Sequence, residues 1–188
     1  ADGPEVDENI VERIFRFRRT LNISDLPDED KAVQIAWMIH LIGDIHQPLH
    51  NTTRISEKQP EGDAGGNGFS LGDGWPWNLH SFWDGIIDLQ LPRNGDEPKS
   101  DYYRKRAQEI MSLYPHEELL YEIKIQNPQL WTKESAQITM QAGYPPSSTE
   151  GEKPSVEFRE QAFEIAQKQL ALAGYRMAAV LNDLFDQK

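Results

Sequence analysis

The chain contains no cysteine. That removes disulfide staples and thiolate metal sites, and leaves His, Asp and Glu as its strong metal ligands. It is also short of positive charge: 19 Lys and Arg stand against 31 Asp and Glu, for a net charge of −12. This is the opposite of the basic footprint with which a protein grips nucleic acid by surface electrostatics. Any anionic substrate has to be held locally, for instance by metal ions. No apolar run approaches the roughly twenty residues of a membrane-spanning helix, and no stretch shows the alternation of a half-buried strand. The opening residues, ADGPEVDENIVER, have neither a basic segment nor an apolar one, so no signal peptide is expected in this chain.

What is present points to helices. The 188 residues, 38% of them apolar, suit a single domain, 1–188, with a real core. Val6, Ile10, Ile14, Phe17 and Leu21 recur at steps of three and four, which predicts a helix over 5–21. A second should start after Pro27, where the acids DED suit the positive helix end, and stop at Pro48. NLHSFWDGIIDLQL, KSDYYRKRAQEIMSLY, HEELLYEIKIQ and PQLWTKESAQITMQA predict four more, punctuated by prolines. A long amphipathic helix is predicted from Ser155 to Phe185 with Phe158, Ala162, Ile165, Leu172, Tyr175, Ala179 and Leu181 among its apolar positions. Residues 51–77 are rich in Gly, Pro, Asn and Asp and predict one long loop; loops of that length in compact domains are commonly functional. The fold class is all-α.

Three of the five histidines fall in HLIGDIHQPLH, residues 40–50. His40 and Asp44 are four apart on the predicted second helix, so they emerge on one face and can meet a single cation. Pro48 redirects the chain and lets His50 approach from outside the helix. His80 and Asp84 repeat the His-x-x-x-Asp spacing on the next helix, whereas chance predicts about 0.4 such pairs for five His and this Asp content. A pair at this spacing can equally be a surface ion pair worth a few tenths of a kcal/mol. The apolar run AVQIAWMI ahead of His40 weighs against that, because unpaired polar groups are costly to bury. His46, about 240° around the helix from His40, points away from that face, and His116, after Pro115, is expected to be solvated; neither is assigned to metal. Nitrogen and oxygen ligands with an open position are the donor set of a catalytic zinc. The loop adds GDAGGN, whose glycines permit tight backbone beside a ligand, with Phe69, Trp75 and Trp77 as candidate exposed rings for stacking on a base.

The segments WMIHLIGDIHQPLH, GDAGGN, NLHSFWD and QLALAGYRMAAVLN together resemble the zinc-dependent, single-strand-specific nucleases of fungi, plants and bacteria (the S1/P1 group), within the wider superfamily of zinc phospholipases C. The resemblance implies a mostly helical fold and a zinc phosphodiesterase that cuts single-stranded DNA and RNA to 5′-nucleotides. It makes His50, His80 and Asp84 the protein ligands of one zinc, and His40 and Asp44 part of a paired cluster in which Asp44 bridges toward another metal, up to three Zn²⁺ in all. Asp44 is then the catalytic candidate, and Asp63, Ala64, Gly65, Gly66, Asn67 and Asn78 are the substrate-binding candidates. Asp84, where the similar phospholipases carry Glu, favours the nuclease branch. A secreted or periplasmic location is implied in the same way. The departure is at the front. The family's N-terminal Trp, the His that follows it, and a later Asp and His have no counterpart here, since no Trp precedes Trp37 and no His precedes His40. The chain is therefore expected to be the larger C-terminal part of such an enzyme, holding one zinc well, with the region of His40 and Asp44 to be completed by a missing N-terminal segment. The alternatives are a phospholipase C-like hydrolase, a catalytically silent metal-binding helical domain and a helical interaction module.

Overall fold

The computed structural model describes residues 9–23, 25–146 and 150–185. Residues 5–8 of the first predicted helix, Val6 included, lie outside the described residues. Among the described residues seven α-helices follow one another: α1 (Ile10–Leu21), α2 (Asp28–His46), α3 (Leu79–Gln90), α4 (Lys99–Leu113), α5 (Leu120–Ile123), α6 (Pro128–Ile138) and α7 (Val156–Phe185). Among the described residues no strand forms, and the long loop between α2 and α3 carries only two isolated bridges, Ser56 with Gln59 and Ser70 with Asn78. The fold is all-α. No helix among the described residues is long and apolar enough to cross a membrane.

Local chemistry sets the boundaries. Asn9 caps α1 by accepting from the Glu12 amide at 3.0 Å, and Asn78 forms a reciprocal capping box with Ser81 at the start of α3. Pro48 ends α2 as expected, and the chain turns through a single 3₁₀ turn, Pro48–Asn51. The helix expected from HEELLYEIKIQ is broken into a 3₁₀ turn, His116–Leu119, and the four-residue α5; so short an element is held by packing rather than by propensity. His116 is exposed, its ring edge-on to Tyr175 at 5.2 Å. Thr139–Gly143 closes α6 with a π turn.

Helix α7 is the axis of the molecule. It touches α2, α3, α4 and α5 and contributes to three apolar clusters. Phe158 and Ala162 join Phe82, Trp83, Ile86 and the loop residues Leu71 and Phe69; Val180 joins Ile14, Met38, Ile42 and Trp131; Ala171 and Leu172 join Ile110, Leu119 and Ile123. Phe69, expected as an exposed ring, is 2% exposed. Its partners are Tyr144 and the Arg54 guanidinium, which lies 4.8 Å from one ring and 4.7 Å from the other, so it closes the loop onto the core instead of offering a stacking surface.

One buried charge ties α7 to α2. Arg176, 0% exposed, donates to the Glu122 carbonyl, meets Glu134 at 2.7 Å and reaches His46 Nε2 at 2.9 Å. His46 donates from Nδ1 to the Ile42 carbonyl at 2.7 Å. Burial, aided by the Arg176 charge, lowers its pKa to about 4, so it is a neutral core residue and stands apart from the metal-type group described next.

Candidate metal centre

Where α2 ends, its last carbonyls lose their helical partners, and side chains from α6, from the π turn after it and from the 3₁₀ turn take up these and the next carbonyls. Ser135 Oγ donates to Ile45 O and Thr139 Oγ1 to Pro48 O, both at 2.7 Å and both buried. Asn51 Nδ2 donates to the Ile45 and Gln47 carbonyls. The turn carrying His50 is thereby fixed to the body of the protein and faces α3.

Five side chains then form a continuous chain of imidazoles and carboxylates. His40 Nε2 lies 3.3 Å from Asp44 Oδ2, His50 Nδ1 lies 3.6 Å from Asp44 Oδ1, His50 Nε2 lies 3.2 Å from Asp84 Oδ1, and His80 Nε2 lies 3.5 Å from Asp84 Oδ2. The His50 and His80 rings stack at 4.9 Å. Within the chain, ligand atoms of His50, His80 and Asp84 all lie within 4.8 Å of one another. Donors bound to one zinc at about 2.0–2.1 Å sit about 3.3 Å apart in a tetrahedron, so the contacts of 3.2 and 3.5 Å to Asp84 already match the edge of such a site. The three residues fit a divalent metal that takes nitrogen and oxygen ligands.

Two members of this trio have an orienting partner outside it. His80 Nδ1 donates to the Gly65 carbonyl at 2.8 Å, which leaves Nε2 free as the ligand atom. Gln47 Nε2 donates to Asp84 Oδ1 at 2.8 Å. Burial disfavours charge on both His50 and Asp84, but their mutual hydrogen bond, the carboxylates of Asp84 and Asp44 around His50, and the bond from Gln47 to Asp84 outweigh it. The His50 pKa is raised and the Asp84 pKa lowered. Protonated His50 and ionised Asp84 make an ion pair, and a metal at the site takes the proton's place.

The GDAGGN loop builds the wall behind His80. Gly65 has φ +64°, and a Cβ there would fall 2.4 Å from the Leu49 carbonyl oxygen, so only glycine brings this carbonyl to the ring. The Gly66 carbonyl accepts from the His80 amide at 3.3 Å. Asp63, by contrast, is 1% exposed and faces inward. Tyr144 donates to it at 2.6 Å and the Arg54 amide at 2.9 Å, and although burial pushes the other way, these bonds hold its pKa below the usual carboxylate value. Ala64, also at positive φ, and Asn67 are exposed at the loop tip, with Asn67 Nδ2 bonded to the Ala64 carbonyl at 2.8 Å. Asn78 spends its side chain on the α3 cap. Trp75 and Trp77 are 49% and 61% exposed.

Two cavities flank the stacked histidines. One, of about 370 Å³, lies on the loop side and is bounded by Asp44, Thr52, Ala64 and Gly65. The other, of about 480 Å³, lies toward α7 and includes His40, Asp44, Trp83, Gln169 and Leu170.

The sequence matches the S1/P1 Nuclease family over residues 1–186. The chain belongs to this family. It is similar to Endonuclease 5 of Arabidopsis thaliana, 26% identical over 178 aligned residues, covering 82% of this chain and 51% of that protein. It is similar as well to Nuclease S1 of Aspergillus oryzae, 43% identical over 60 residues, 31% of this chain and 18% of that one. Nuclease P1 of Penicillium citrinum is 30% identical over 82 residues, 43% of this chain and 27% of that protein. The chain spans about half the length of the plant relatives it matches.

Gln47 and the Gly65 carbonyl have no role in the sequence reading. Gln47 lies between His46 and Pro48 in a run where histidines draw the eye, and a backbone carbonyl has no residue type to notice. The available signal was position: a polar side chain at the C-cap of a ligand-bearing helix.

Proposed function

We propose that the chain is the C-terminal part of a zinc-dependent phosphodiesterase acting on single-stranded DNA and RNA. The observation that carries this reading is the His50–His80–Asp84 group with Asp44 at its edge, in a member of a nuclease family. His50, His80 and Asp84 hold one zinc. His40 and Asp44 supply two of the ligands for further ions, up to three in all, with the remaining ligands coming from a preceding segment of the same protein. Bound zinc supplies Lewis-acid neutralisation of the charge that builds up on the phosphate.

The chain's own groups do the rest. Asp44, whose side chain is 34% exposed between His40 and His50, accepts the proton of the attacking water. The water oxygen bonds to phosphorus, the P–O3′ bond breaks, and the proton taken up by Asp44 passes to the O3′ oxygen, leaving a 5′-phosphate on one product and a 3′-hydroxyl on the other. Gln47 and Gly65 keep Asp84 and His80 in register. The exposed Trp75 and Trp77 and the loop tip Ala64–Asn67 offer surfaces for unpaired bases. With a net charge of −12, affinity comes from these local contacts, and its salt dependence is shallow compared with that of a basic DNA-binding protein. Such an enzyme works outside the cell or in the periplasm.

The test pairs metal analysis with two substrates. Protein purified without chelator should carry about one equivalent of zinc. With added zinc it should release 5′-nucleotides from single-stranded DNA or RNA, slowly for this chain by itself because His40 and Asp44 are two ligands where three or four hold a zinc well. Phosphocholine release from a choline phospholipid without nucleotide release would replace the nuclease reading by the phospholipase one. Less than half an equivalent of zinc, with no loss of stability in EDTA, would remove both.

A further inference from the structure

A third cavity, of about 640 Å³, lies between α3, α4 and α7. It meets the metal-type group at Asp84, and neither His50 nor His80 lines it. Two rows of side chains line it instead. On α4, Tyr103, Ala107 and Met111 recur at steps of four, and on α7, Leu170, Gly174 and Ala178 do the same. Residues four apart on a helix share a face, and all six are exposed. Each row runs for about 12 Å at the helical rise per residue, and its side chains are apolar along that length apart from the Tyr103 hydroxyl.

One charged group is set into this apolar wall. Arg106 also lines the cavity, with its side chain 15% exposed. Glu109 holds its Nη1 at 2.8 Å and the Tyr102 ring lies 5.4 Å from the guanidinium carbon, yet the buried Nε donates to nothing. Nε and Nη2 form the parallel edge with which arginine pairs a carboxylate bidentately, and the Glu109 contact at Nη1 leaves that edge open. The acids in the same cavity do not fill it: Asp84 is engaged by Gln47 and His50, and Asp88 Oδ1 accepts from Tyr102 Oη at 2.7 Å. A buried donor without an acceptor is costly, and it marks where a bound molecule completes the bonding. Gly174 keeps the opposite row open. It sits in the interior of the 30-residue α7, where glycine is a poorer helix former than alanine, and a Cβ there would meet nothing within 4 Å. Packing does not require this glycine, and a larger side chain there would occupy the groove.

We infer that the α3/α4/α7 groove binds a carboxylate with a long aliphatic chain, of the fatty-acid type, with its head on the Nε edge of Arg106 and its chain along the two rows. Charge selects the head. The unpartnered donor belongs to a guanidinium, so its complement is an anion, and a planar carboxylate matches the edge with two parallel bonds. Exposed apolar surface selects the chain: two helical turns of it on α4 and on α7 leave water when an aliphatic chain lies between them. A bare anion would leave those rows wet, and an alkyl cation would meet the Arg106 charge. The site stands apart from the nuclease reading, since neither the stacked histidines nor a phosphate takes part.

Calorimetry and NMR shift mapping on the full chain test this with octanoate, octanol, octylammonium and acetate. Octanoate should bind with shifts centred on α4 and α7, octanol at least tenfold more weakly, and octylammonium and acetate without saturation. Gly174→Leu, which fills the groove from a position with free space around it, should weaken octanoate and octanol alike, by at least tenfold. Arg106→Gln, which removes the charge, should weaken octanoate about tenfold and leave octanol within twofold. A variant that failed to fold would lose both ligands together, and the helical circular dichroism of each variant should match that of the parent chain. Absence of octanoate binding, octanol or octylammonium binding as tightly as octanoate, shifts centred on His50 and His80 that a chelator abolishes, or indifference to both substitutions overturns the site.

Discussion

The two His-x-x-x-Asp pairs have the same spacing and both sit on helices, yet they end up in different conditions. His80 and Asp84 meet a third ligand from another segment, and the pair is steered by Gly65 and Gln47. His40 and Asp44 touch each other at 3.3 Å, but the His40 side chain is 60% exposed, with the edge of the Trp37 ring 5.8 Å away. Spacing brings two ligands to one face; a site also needs a third direction of approach and partners that fix each ring. One pair has both in this chain. The other lies on an α2 face where Val33 and Trp37 are also more than half exposed.

The sharpest way to break this comparison is to remove one acid or imidazole from each pair and titrate zinc. Asp84→Ala should weaken binding at least a hundredfold, since two ligands cannot replace three, whereas His40→Ala should change it less than threefold. Equal losses would mean that the two pairs act as one site. The orienting partner comes next. Gln47→Ala should cost about tenfold in zinc affinity with little change in melting temperature, the size of effect expected when a group behind a metal ligand is lost.

Acidity separates the pairs further. His50 is raised above the ordinary histidine value by Asp84 and Asp44 against the opposing effect of burial, so in the metal-free chain it holds its proton at higher pH than a free imidazole. Zinc must displace that proton. Zinc affinity should therefore fall as pH drops through the raised His50 pKa, by up to about tenfold per pH unit, and calorimetry in buffers of different ionisation enthalpy should show proton release that grows as pH is lowered through that pKa. In the metal-free protein the same shift stabilises the fold below the unfolded histidine value, and this contribution is lost as pH rises through the folded one.

The smallest effect comes from two glycines. Gly43 lies on the exposed face of α2 near His40, Gly174 on α7, and a Cβ at either would touch nothing within 4 Å. Alanine at each should raise stability by about 0.5–1 kcal/mol, read as a small upward shift in thermal midpoint. A gain at 174 with a loss at 43 would show that something covers the α2 face in solution.

Helix existence was legible because α1, α2, α3, α4, α6 and α7 each place apolar residues at a helical period beside a cap or a proline. The HEELLYEIKIQ segment misled, since Leu119 and Ile123 keep that period but serve a cluster with α7 in which a short turn packs as well as a helix. At the site, the trio's residue types and separation could be read directly. The inward turn of Asp63 could not, because its main partner, Tyr144, is 81 residues away and only tertiary packing brings them together. Phe69 misled for the same reason: a loop ring looks exposed until Arg54 and Tyr144 close over it.

Helix α7 has a consequence for how the chain is made. All three apolar clusters include its residues, and it begins only at Val156. At synthesis rates of about 5–20 residues per second, Ile14, Met38 and Phe82 wait several seconds on the ribosome before α7 completes their clusters. Nascent chains arrested before Val156 should stay protease-sensitive and depend on chaperones, and resistance should arrive in one step once α7 has emerged, not helix by helix.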